Sequence, residues 1–68
     1  MAENMEADPF NISLRKYLKQ VGVTSQQAIE RAVAAGGLRG RGTLHVRTVL
    51  TAEGTDLHHV VEGEIDLG

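Results

Sequence analysis

The chain changes its hydrophobic period once, near its middle. Phe10, Leu14, Tyr17, Leu18 and Val21 fall on one helical stripe, with Arg15, Lys16 and Lys19 turned away and Ile12 the one misfit. Asp8 followed by Pro9 reads as the start of this helix: the carboxylate caps free N–H groups and proline is tolerated in the first turn. Asn11 is a rival cap, and Gly22 predicts the end. Thr24 then stands three residues before Gln27, the reciprocal capping arrangement of a helix start. A second helix is therefore predicted over residues 25–35, burying Ala28, Ile29, Ala32 and Val33 and stopped by Gly36 and Gly37. Residues 1–7 show no periodicity and are expected to form a disordered tail.

After the flexible Leu38–Gly42 segment a period of two takes over. Leu44, Val46, Thr48 and Leu50 share one face with Leu57, His59, Val61, Ile65 and Leu67; His45, Arg47, Val49, His58, Val60, Glu62, Glu64 and Asp66 share the other. A turn at Glu53-Gly54 sets Leu50 opposite Leu57 and Val46 opposite Val61, with His45 across from Glu62. A turn at Gly54-Thr55 shifts the pairs and keeps the faces. The expected fold is α+β in the order ααββ: two N-terminal helices packed on a C-terminal antiparallel β-hairpin, one small domain over residues 8–68. Its expected core is Leu14, Leu18, Val21, Ile29, Val33, Val46, Leu50, Leu57, Val61 and Ile65. A two-stranded ribbon leaves both edges open, so a homodimer is an expected remedy for small size and free edges together.

Composition narrows the chemistry. With 68 residues there is little room for a core and a deep cleft. The absence of cysteine removes disulfides, thiolate metal sites and thiol catalysis. No apolar run reaches about 18 residues, and the acidic N-terminus carries the wrong charge for a signal peptide, so the expected setting is the cytoplasm, without a membrane.

The net charge of −2 hides a polarity: −3 over residues 1–9, +5 over 10–42 and −4 over 43–68. A basic middle between acidic ends suits attraction between the parts better than a phosphate-binding role, which needs several basic contacts acting together. The surface singled out for interaction is Ile12, Arg15, Lys16, Lys19, Arg31, Arg39 and Arg41.

Reactive constellations are weak. Glu62, Glu64 and Asp66 share a strand face but stand about 7 Å apart on a polar, solvated face, which argues against a catalytic carboxylate pair. His58 and His59 face opposite sides, and His45 lies far along the ladder from His58, so no zinc-like set of three or four ligands forms. His45 with Glu62 reads as a cross-strand polar pair, and His59 beside Thr48 as a half-buried residue. Ser13 and Ser25 sit near helix starts with no histidine nearby in sequence, and the glycines of 36–42 lack the lysine and following helix of a phosphate loop. No cofactor is expected.

The two helices across Gly22-Val23-Thr24, followed by a hairpin, imitate a helix-turn-helix with a wing. The would-be recognition helix balances Arg31 against Glu30, and the wing is acidic. Nucleic acid is therefore the lesser alternative, a small DNA-binding or regulatory protein.

Taken together, the stretches Phe10-Asn11-Ile12-Ser13-Leu14-Arg15-Lys16-Tyr17-Leu18-Lys19, Gly22-Val23-Thr24-Ser25 and Val60-Val61-Glu62-Gly63-Glu64-Ile65 resemble a family of very short bacterial proteins. That family is found mainly in proteobacteria and classed as a domain of unknown function. The resemblance covers residues 10–67 and implies no activity, cofactor or catalytic residue. The reading that follows is a small non-enzymatic module that engages an unidentified protein partner.

Overall fold

The computed structural model describes residues 8–68; the tail expected over 1–7 lies outside them. The described residues hold a helix, α1 (Pro9–Gly36), and two strands, β1 (Thr43–Thr51) and β2 (His58–Asp66). They fall into two units that divide after Gly36.

α1 begins as the sequence predicts. The Asp8 carboxylate accepts from the Phe10 N–H at 3.2 Å, the Asp8 carbonyl takes the Ile12 N–H at 2.9 Å, and Pro9 opens the first turn. Its length does not follow the prediction. A single helix of 28 residues stands where two were expected, so the ααββ order is corrected to αββ, and the two-helix layer over the hairpin falls with the pair.

Thr24 supplies the physical reason. Its hydroxyl does not wait outside a new helix to receive the Gln27 N–H; it donates backward to the Gln20 carbonyl at 2.8 Å, within an unbroken helix. A threonine bonded this way is an interior residue. Gly22 is carried along, since one helical glycine costs only about 1 kcal/mol relative to alanine.

The expected core is corrected with it. Val33 alone of that set is buried; Val21, Ile29, Val46, Leu50 and Ile65 are half-buried, and Leu14, Leu18, Leu57 and Val61 stay exposed. A straight helix cannot fold its N-terminal apolar stripe back onto its C-terminal one.

The hairpin unit keeps the predicted faces and settles the register. β1 pairs antiparallel with β2, Leu44 opposite Ile65, Val46 opposite Gly63, Thr48 opposite Val61 and Leu50 opposite His59. This is the alternative centred on Gly54-Thr55, and it overturns the pairing of Leu50 with Leu57. The two-residue turn widens into a loop from Ala52 to Leu57. Within it the Ala52 carbonyl accepts both the Thr55 N–H at 3.3 Å and the Thr55 hydroxyl at 2.8 Å, while the Leu57 N–H donates to Thr55 Oγ1 at 3.1 Å. Gly54 takes a φ of 77°, which a side chain would disfavour.

At the far end Leu67, missing from the expected core, is buried. Its N–H donates to the Gly42 carbonyl at 2.7 Å and its carbonyl accepts from the Gly40 N–H, clasping the entry loop.

Two outcomes check these elements. Gly22→Ala, whose added Cβ would meet nothing within 4 Å, raises helicity by circular dichroism and stabilises α1 by about 0.5–1 kcal/mol. A loss of helicity would mean that the chain turns at Gly22 after all. Thr55→Val removes both hydroxyl bonds of the loop and costs the hairpin about 1–2 kcal/mol, read as weakened cross-strand nuclear Overhauser contacts between Thr51 and His58.

Candidate interaction surface

At about 100° per residue, α1 carries two opposed faces. Ile12, Arg15, Lys16, Lys19 and Val23 share one; Phe10, Leu14, Tyr17, Leu18 and Val21 share the other. Neither is covered: Phe10 is 68% exposed, Ile12 51% and Tyr17 50%, and all three cations of the basic face are exposed. The basic face changes sign toward its C-terminal end at Glu30, whose carboxylate accepts from the Gln26 amide at 3.2 Å.

The structure thus brings together four of the seven residues singled out from sequence: Ile12, Arg15, Lys16 and Lys19. Arg31 sits roughly a quarter-turn around α1 from them. Arg39 and Arg41 are exposed in the entry loop of the hairpin unit, where the Arg41 N–H donates to the Leu38 carbonyl at 3.1 Å. Val23 is a surface residue that sequence reasoning missed. Its spacing of four from Lys19 would have placed it on the face of Ile12, three turns further on, had the helix not been ended at Gly22.

The polar face of the hairpin carries the one ion pair among the described residues. His45 Nε2 lies 2.9 Å from Glu62 Oε1. The pair was expected directly across the ladder, and that detail is corrected: Glu64 stands opposite His45 and Glu62 opposite Arg47, so the contact is diagonal. The ribbon's twist and the length of the glutamate side chain make the diagonal reachable. His59 is corrected too, being exposed and opposite Leu50 rather than half-buried beside Thr48. The carboxylates of Glu62, Glu64 and Asp66 alternate along β2 as expected; Asp66 accepts from the Gly68 N–H at 2.9 Å.

Among the described residues no three metal-binding side chains gather, and no helix is long and apolar enough to cross a membrane. The helix pair of the DNA-binding alternative is absent, because Gly22, Val23 and Thr24 lie inside α1.

What remains is an α+β chain of one helix and one antiparallel hairpin that presents apolar and basic surface. The chain belongs to the family of unknown function DUF6494, whose profile matches residues 5–68. The resemblance carried by the Phe10–Lys19 and Val60–Ile65 stretches is thereby confirmed. No curated protein and no solved structure matches the chain.

The His45–Glu62 contact is a small term. Both side chains are more than half exposed, so a double-mutant cycle with His45→Ala and Glu62→Ala gives a coupling below about 1 kcal/mol that shrinks as salt rises. A coupling well above that, insensitive to salt, would contradict a solvated pair.

Proposed function

We propose that the chain is a small, non-enzymatic protein–protein interaction module of the cytoplasm, with a second copy of itself among its partners. The observation that carries this reading is the uncovered row Phe10, Leu14, Tyr17 and Leu18. Single exposed apolar residues are ordinary, but four at spacings of four, three and one make a continuous patch. Such a patch on a helix suits docking into an apolar groove of a protein partner. The basic face opposite it supports solubility and draws acidic partners.

A photo-crosslinking amino acid placed at Tyr17 tests the reading in extract from cells that make the protein. The expected result is a small number of discrete adducts, against none for the same probe at Glu53 in the hairpin loop. Equal and diffuse labelling from both positions would end the interaction reading. Mixed-sequence duplex DNA added at physiological salt is expected to leave the amide resonances of Arg15, Lys16 and Lys19 in place.

A further inference from the structure

The two outer edges of the hairpin differ. β2 is defended: Glu62, Glu64 and Asp66 alternate along it, so antiparallel apposition with another β2 brings carboxylates into one row. β1 has no such defence. Its sequence Thr-Leu-His-Val-Arg-Thr-Val-Leu-Thr contains no acidic residue, no lysine and no proline, only the single charge of Arg47, and its nine residues pair with β2 without a bulge. Edges of that kind are templates for another strand.

The groups on this edge can be assigned. The Leu67 N–H donates to the Gly42 carbonyl, and those two residues continue the strand register, so they form a hydrogen-bonded pair. Antiparallel ladders alternate such pairs with non-bonded ones. The even-numbered residues of β1 therefore bond to β2, and His45, Arg47 and Val49 turn their N–H and C=O groups outward. Among the described residues no backbone hydrogen bond reaches those groups, and the sheet has only two strands.

From this edge we infer that β1 pairs antiparallel with β1 of a second copy about a two-fold axis at Thr48, making a four-stranded sheet in the order β2-β1-β1-β2. The inference rests on the proposed interaction role only in taking a second copy as one partner. β1 against β2 of another copy matches charge better but is heterologous and leaves both ends open, whereas the two-fold arrangement closes.

Charge and apolar matching choose the axis. Centring on Arg47 opposes two guanidinium groups, and centring on Val46 opposes His45 with Arg47. Centring on Thr48 opposes Thr48 with itself, Val46 with Leu50 and Arg47 with Val49, and the outward groups of Arg47 and Val49 meet as a hydrogen-bonded pair. The Leu44, Val46 and Leu50 side chains of both copies then line one continuous face.

A chain without cysteine lets a single introduced thiol report the geometry. Thr48→Cys places two thiols in a non-bonded pair on the axis, with Cα atoms about 4.5 Å apart, within reach of a disulfide. Val61→Cys, directly opposite Thr48 in the hairpin, is the control on β2. The unaltered protein should sediment with twice the mass of the chain; under mild oxidation Thr48→Cys should give a covalent dimer and Val61→Cys none. Charge at Val49, which is exposed, supplies a second readout. Val49→Glu faces Arg47 of the second copy and tightens the dimer about fivefold, and Val49→Lys loosens it by a similar factor. A monomer at millimolar concentration, crosslinking through Val61→Cys, or equal effects of the two Val49 variants would overturn the proposal. Discrete adducts at Tyr17 alongside any of those results would leave the interaction module standing, though a monomer would strike the second copy from its partners; loss of the Tyr17 adducts as well would remove both.

Discussion

The helical hydrogen-bond ladder that runs past Gly22 without a break sets what the rest of the chain can do. Had the backbone turned there, two short apolar stripes would have faced each other and closed a small core. Running straight, α1 spreads its apolar residues over about 42 Å of one cylinder, at 1.5 Å per residue for its 28 residues. Helices within proteins owe little of their stability to propensity and most of it to packing of an amphipathic face. The exposure of Phe10, Leu14, Tyr17 and Leu18 therefore marks where α1 lacks that packing.

The hairpin meets a related constraint in a different way. Two strands bury little between them, so the ribbon depends on its ends. At one end Thr55 gathers the loop through its hydroxyl, and at the other Leu67 reaches across to Gly40 and Gly42. Between those clasps the side chains divide by parity, one face mostly apolar and the other carrying the charges with Val49 opposite Val60 among them. The asymmetry of the two edges follows from where the carboxylates fall: all on β2, none on β1.

Much of this was legible in the residues. The Asp8-Pro9 start, the change of period after Gly42, the strand faces and the family resemblance all come from local patterns that the structure and the family match bear out. The break at Gly22 was a misreading of two signals that are ambiguous alone. A glycine tolerated mid-helix and a threonine bonding backward look, in sequence, like a stop and a cap. The corrective signal was the phase of the stripe: Leu14, Leu18, Val21, Ile29 and Ala32 keep a 3.6-residue period across Gly22, which two independent helices have no reason to preserve. The hairpin register was held to two choices by parity and decided by the loop, whose hydroxyl bonds no pattern of apolar residues encodes. The basic cluster was partly legible, since Ile12, Arg15, Lys16 and Lys19 fall within two turns. Arg31, Arg39 and Arg41 joined them only by sign of charge, and sign carries no position.

Tyr17 has a consequence for how the molecule can be watched. The chain holds no tryptophan and one tyrosine, and that tyrosine stands half-exposed in the middle of the apolar face of α1. Its fluorescence therefore reports one place on one helix, unmixed with signals from elsewhere. Whatever settles over that face will desolvate this phenol ring, and the unaltered protein carries its own optical gauge of occupancy.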